Sequence, residues 1–402
     1  MTTIRPQILR LRLLLVACVA LAFGAGCGSM DAAMAPGGGG APGGGVGGNG
    51  NLGATTGGAQ DFRQIRKQIE AGKVPKAEQF LVEGLLSEHD LPLEGAPCQQ
   101  LLCLNLAAGL AQTRFAAQAD AGQSPGRSVL VQVGMSSGLS AETFRRRPQN
   151  LALVVDVSGS MSGHKIVDTR LALERLVDRL DEGDLVSIVA FSTEASLRLP
   201  PTAGHDKATI KAAIAGLKPT GSTNMEAGLA KGYKQLAQHH DNSARASRLM
   251  LFTDAQPNTG RTSAGSFQAQ VKAAAADNIG LSAFGVGLSF NAGLIDLMAN
   301  LRGGNYFYLA DGEAIRTIFD EDFDYLVTPL AYDLKLELRI PAGFRFVAAH
   351  GVKDFAAGAK TATLEVKTVF LSRNKGAMLV ELEQDGSAFE GDGGASVPVL
   401  HS

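Results

Sequence analysis

The chain has 402 residues, room for two or three domains, with 45% hydrophobic residues and a formal net charge of -2. That balance argues against a nucleic-acid binder. The 49 glycines are clustered, so they mark particular segments and not a whole fold.

Residues 1–26 read as an export signal. Arg5, Arg10 and Arg12 precede an apolar run over 13–23 that is too short to span a membrane as a stable helix. Gly24, Ala25 and Gly26 lead into Cys27, which resembles the lipobox of bacterial lipoproteins, whose cysteine becomes the lipidated first residue. Gly24 departs from the leucine usual in that motif. Residues 15–18, ending in Cys18, fit the motif better locally but leave too few apolar residues ahead of them. A plain secreted protein cut nearby is the alternative. Gly28 stands where an aspartate would, by resemblance to the enterobacterial sorting rule, retain a lipoprotein at the inner membrane, so the outer membrane is the expected location. The only membrane attachment this implies is the lipid.

Residues 27–60 read as a tether. From Pro36 to Ala59 the sequence is Gly-rich and uncharged, and such a coil of roughly 24 residues has an r.m.s. span of about 25–30 Å. Within the next segment, 61–147, Phe62, Ile65 and Ile69 predict a helix over 61–71 that Gly72 stops. Strands are expected over 101–106 and 128–135. Cys98 and Cys103 are expected to be bridged in an oxidising compartment. Arg145, Arg146 and Arg147 read as a solvated loop.

Residues 148–328 alternate strand and helix. Strands are predicted over 151–155, 184–191, 195–199, 248–253, 281–286 and 305–309. Helices are predicted over 165–180, 207–216, 224–238, 267–277, 291–300 and 313–328. This pattern predicts a doubly wound, mostly parallel sheet. The first strand ends in Asp156, Ser158 and Ser160 at alternate positions, at the edge where open α/β sheets bind ligands. An aspartate and two hydroxyls offer hard oxygen donors suited to Mg²⁺, Mn²⁺ or Ca²⁺. Taken alone, the turn reads equally well as a helix cap. Thr223 in Gly221-Ser222-Thr223-Asn224 and Asp254 at the end of another apolar strand lie on loops that can converge with it.

D-V-S-G-S, G-S-T-N and L-F-T-D, in that order with helices between, resemble the von Willebrand factor type A domain and its metal-ion-dependent adhesion site. The resemblance implies that Ser158, Ser160 and Thr223 ligate the ion through hydroxyls, and that Asp156 and Asp254 bind it directly or hold its waters. Ala255 stands where many relatives have glycine. The segments DFRQIRKQIEAGKVP, VEGLLSEHDLPL and VLVQVGM are similar to the amino-terminal part of a group of bacterial von Willebrand lipoproteins. Over 329–402, alternation at 332–340, 361–370 and 377–382 predicts antiparallel strands. With part of 75–147 they are expected to form a β-sandwich into which the central domain is inserted.

Enzyme signatures are lacking. Neither serine sits in a G-x-S-x-G elbow, no histidine is placed as their base, and in Gly285-Val286-Gly287 a dinucleotide loop fails because Phe290 takes the third glycine's place. His164, His239 and His240 read as exposed helix flanks. The expected function is a non-catalytic lipoprotein that binds a partner protein's Asp or Glu through a divalent ion, with no small-molecule substrate identified. The alternative is a structural or stress-related envelope protein whose metal site only stabilises the fold. Mass spectrometry of the mature protein should find Cys27 acylated as its first residue; a free thiol there overturns the lipoprotein reading.

Overall fold

The computed structural model describes residues 7–11, 51–59, 62–75, 82–87, 93, 96–112, 127–240, 244–254, 264–287, 297, 300–352, 354–358 and 360–384. Cys27, the leader apart from 7–11, the glycine tract up to residue 50 and most of the predicted helix over 291–300 lie outside the described residues.

Ahead of the central domain come β1 (Gln7–Leu11), β2 (Asn51–Thr56), β3 (Gly58–Ala59), α1 (Arg63–Glu70), α2 (Val82–Ser87), β4 (Cys103–Gln112) and β5 (Arg127–Ser140). The central domain runs β6 (Gln149–Asp156), α3 (His164–Asp178), β7 (Leu185–Phe191), β8 (Ala195–Ala203), α4 (Lys207–Ala215), α5 (Met225–Ala237), β9 (Ala246–Thr253), α6 (Ala264–Ala276), β10 (Gly280–Val286) and β11 (Gly304–Leu309). The single closing helix expected over 313–328 is broken into α7 (Gly312–Arg316), a π-helical turn (Thr317–Glu321) and α8 (Phe323–Leu326). Then follow β12 (Pro329–Arg339), β13 (Phe344–His350), β14 (Asp354–Ala357), β15 (Thr361–Ser372) and β16 (Ala377–Gln384).

The central sheet has the order β3-β11-β10-β9-β6-β7-β8. Every pairing in it is parallel except β7 with β8. That exception has a simple cause: a tight turn, closed by Ser192 N–H donating to the Glu194 carbonyl at 3.0 Å, leaves no length for a crossover helix. Every residue of β6 is buried, as a strand covered on both faces requires. One core lies under α3, α4 and the closing helices, with Leu153, Val155, Leu173 and a stack of Phe252 on Phe284 at 4.6 Å. The other lies under α5 and α6, with Val154, Leu229, Leu251 and Val271. The doubly wound, mostly parallel sheet is as expected.

The second sheet joins strands from both flanks in the order β1-β12-β15-β2-β5-β16-β13, with β14 beside β15 and β4 beside β5. Its pairings are antiparallel apart from β1 with β12, and β1, which falls within the expected export signal, is an edge strand that cleavage before Cys27 would remove. Apolar side chains of β2, β5, β12, β15 and β16, among them Leu52, Val133, Leu334, Leu364 and Val380, share one core. The flanks therefore make a sandwich-like unit with the central domain inserted between β5 and β12.

Two expectations are corrected. The glycine-rich stretch does not remain a tether to residue 60, because 51–59 form β2 and β3, with Leu52 and Ala54 buried between β15 and β5. Here glycine permits close backbone approach and not flexibility: a Cβ on Gly53 would collide with the Asn374 carbonyl, and one on Gly57 would lie 2.9 Å from the Gly304 carbonyl. The arginine triplet is not simply solvated. Arg146 has a side chain only 3% exposed. It donates to Asp184 at 2.6 and 2.8 Å and to Asp324 at 2.8 Å, with Phe323 beneath it.

Arg146→Met leaves the fully buried Asp184 carboxylate without its cation, and breaking such a pair costs about 3–5 kcal/mol. Urea denaturation should show a midpoint shift of that size with little change in slope.

Candidate metal and protein-binding site

The central strand β6 and its neighbour β9 run in register, Val155 opposite Phe252, so their polar ends emerge side by side. Asp156 is completely buried. Its Oδ1 accepts from Ser158 N–H at 2.8 Å and its Oδ2 from Thr253 Oγ at 2.6 Å. The chain then makes one 3₁₀ turn, Gly159–Met161, anchored by the buried Met161. That turn brings Ser158 Oγ to 3.1 Å from Ser160 Oγ, and Ser160 Oγ donates to Asp254 Oδ1 at 2.9 Å. Lys165, in the first turn of α3, pairs with the other oxygen of Asp254.

The third loop is fastened to the first by backbone. Gly159 N–H donates to the Gly221 carbonyl at 3.0 Å, and Thr220 N–H to the Val157 carbonyl at 2.6 Å. Asn224 caps α5 through Ala227 N–H. Thr223 is thereby carried to the same end of the sheet, though among the described residues no hydrogen bond joins its side chain to the other four. The structure thus links Asp156, Ser158, Ser160 and Asp254 directly and brings Thr223 alongside on its own loop.

Burial pushes the Asp156 carboxyl above the ordinary carboxylate range; the hydrogen bonds from Ser158 and Thr253 oppose this, and the nearby Asp254 charge adds to it. Among the described residues no group of three or more His, Cys, Asp or Glu gathers that could hold a metal. A cation here must rest on hydroxyls beside two carboxylates. Those hard oxygen donors fit Mg²⁺ chemistry.

Reading the sequence missed two participants. Thr253 lies inside L-F-T-D, and Lys165 is the first residue of the helix predicted over 165–180. The cue was position, since the first turn of a helix that follows a strand lies at the ligand edge. His240, expected to be exposed, instead bridges Ser247 Oγ and the Asp277 carbonyl, each at 2.9 Å, at the opposite end of the sheet. Cys98 and Cys103 are bridged, with Cα atoms 5.7 Å apart.

Residues 150–321 match the family profile of the von Willebrand factor type A domain. The chain carries such a domain. It is similar to the uncharacterized protein YfbK of Escherichia coli, at 31% identity over 47% of this chain and 33% of that protein. It is also similar to human inter-alpha-trypsin inhibitor heavy chain H4, at 30% identity over 40% of this chain and 18% of that protein. The chain thus spans a third or less of the length of these relatives. A solved von Willebrand factor type A structure from Catenulispora acidiphila is similar at 15% identity, covering 73% of this chain and 67% of its own, with a TM-score of 0.45.

Because the folded Asp156 carboxyl holds its proton more tightly than the unfolded one, its ionised form costs stability. In ion-free protein that cost appears as pH rises from the unfolded value through the raised folded value. Asp156→Asn should therefore melt higher than wild type in EDTA at pH 7, by about 2–4 °C for each kcal/mol relieved. A lower midpoint would show the charge to be compensated already.

Proposed function

We propose that this protein is an exported, non-catalytic protein-binding module of the cell envelope. In this reading Asp156, Ser158, Ser160, Thr223 and Asp254 hold a divalent cation, Mg²⁺ first and Mn²⁺ or Ca²⁺ as substitutes. A partner protein presents an aspartate or glutamate to it. The observation that carries the reading is the convergence of four of these side chains, from two strands, at one end of the central sheet.

Three hydroxyls among the five donors matter because they bring no charge. When bound, an ion would supply residual positive charge and an open coordination position. The chain's own residues would do the rest: Asp156 is held by Thr253 and the Ser158 amide, and Asp254 is oriented by Ser160. The charge-assisted contact would fix the partner's register. Export is supported by the arginine-led apolar leader and by the Cys98–Cys103 bridge, which suits an oxidising compartment. A lipid on Cys27, in the outer membrane, would be the only membrane attachment; among the described residues no helix is long and apolar enough to cross a membrane.

One observation favours a second reading. Ser160, Asp254 and Lys165 already satisfy one another, as they would in a structural or stress-related envelope protein whose site serves only the fold.

Titration calorimetry with Mg²⁺ should show uptake by the wild type and none by Asp156→Ala, and failure of the wild type to bind at millimolar Mg²⁺ removes the reading. Pull-down from envelope extract should recover a partner that EDTA releases; retention in EDTA removes the cation dependence.

A further inference from the structure

Lys165 belongs to no ligand set, yet its ammonium reaches the site. It pairs with Asp254 Oδ2, while Oδ1 of the same carboxylate accepts from Ser160 Oγ at 2.9 Å. The Asp254 side chain is 3% exposed and that of Lys165 31%, so the pair is screened on the carboxylate side and open on the lysine side. The stem of Lys165 passes Gly287, which follows β10 at φ +82°; a Cβ there would stand 2.7 Å from Lys165 Cε. The second glycine of Gly285-Val286-Gly287, useless for a dinucleotide, clears the path of this lysine.

We propose that Lys165 sets the charge balance of the site, acting as a tethered cation that loosens the hold on a divalent ion and strengthens the attraction for an incoming carboxylate. The inference rests on the metal-binding reading above. Asp156 and Asp254 together carry enough negative charge to neutralise a divalent ion. With Lys165 bound to Asp254, one of those charges is already spent. The loaded site then keeps a net positive charge that nothing else among the described residues of this cluster offsets, and a partner's carboxylate is the group that can neutralise it. A lysine suits this role better than an arginine, because its compact ammonium can cover one carboxylate oxygen and leave the other facing Ser160.

The two effects have opposite signs, which separates this role from simple packing. At the separations within one site, a unit charge changes ion affinity by about tenfold or more. In the full chain, Lys165→Met and Lys165→Gln should bind Mg²⁺ about tenfold more tightly by titration calorimetry, while Lys165→Arg stays near wild type. Water-proton relaxation of the Mn²⁺-loaded proteins, titrated with acetate, should show weaker acetate binding in the two neutral variants. Circular dichroism in EDTA reports whether each variant is folded, and the two neutral variants guard against one that is not. Unchanged or weaker Mg²⁺ binding in a folded neutral variant, or unchanged acetate binding, overturns the inference. If the wild type takes up no Mg²⁺ but the neutral variants do, the proposed function fails while the loosening of the ion by Lys165 stands. If none of them binds, both fail.

Discussion

A carboxylate held away from water at the end of β6 is the constraint on which the site depends. From Leu151 to Val155 the strand is apolar on both faces because helices cover both faces. Asp156 comes next and is still fully buried. The Ser158 amide and the Thr253 hydroxyl that donate to it are neutral, and neutral donors only partly repay the desolvation of a charge. The loop geometry follows from serving that one group. The tight turn that brings Ser158 N–H back to Asp156 also presents Ser158 Oγ and Ser160 Oγ together, and two backbone hydrogen bonds from the turn carry the Thr223 loop alongside.

The other end of the central domain is organised by the opposite charge. Arg248 opens the apolar part of β9 and is buried. It donates to Ser282 Oγ at 3.0 Å and to the Gly303 carbonyl at 3.1 Å, and lies over the ring of Phe370 from the sandwich at 5.4 Å. Burial draws its guanidinium down to about 10. Gly303 in turn donates its amide to Thr368 Oγ at 2.7 Å. Further ties come from the acidic run of the closing helices, where Arg373 of the sandwich grips Glu321 and Asp322 at 2.7 and 2.6 Å and Arg146 grips Asp324. Directional contacts of this kind define one orientation of domain on domain, which a smooth apolar interface would not.

What could be read in advance divides along a physical line. Strands β6, β7, β9, β10 and β11 announce themselves because burial on both faces forces long apolar runs, and α3 and α5 because their apolar positions recur every third or fourth residue. The site residues were legible for a related reason: Asp156 and Asp254 interrupt such runs abruptly. β2 was not legible, because NLGATT looks like the flexible tract before it. Its small residues are there to let the backbones of β15 and β5 close in, a demand set by partners more than 70 residues away. Arg146 and Lys165 were equally hidden. A charged side chain in sequence is solvated by default, and only the fold supplies Asp184 or Asp254 to draw it in.

The path of residues 51–59 gives the molecule a direction. β2 runs through the sandwich from Asn51 to Thr56, Gly57 donates its amide to Thr368, and β3 continues parallel to β11 along the central sheet. Parallel pairing means β3 advances toward the ends of the strands that carry Asp156 and Thr253. Entry to and exit from the inserted domain, at Pro148 and Pro329, lie at the other ends of those strands, where Arg248 lies over Phe370 of the sandwich and Thr368 of the sandwich accepts from the Gly303 amide. A glycine tract joined at Asn51 therefore attaches to the sandwich about six strand residues, roughly 20 Å, before the central domain begins. The sandwich therefore meets the central sheet at the ends of the strands opposite those that carry Asp156 and Thr253.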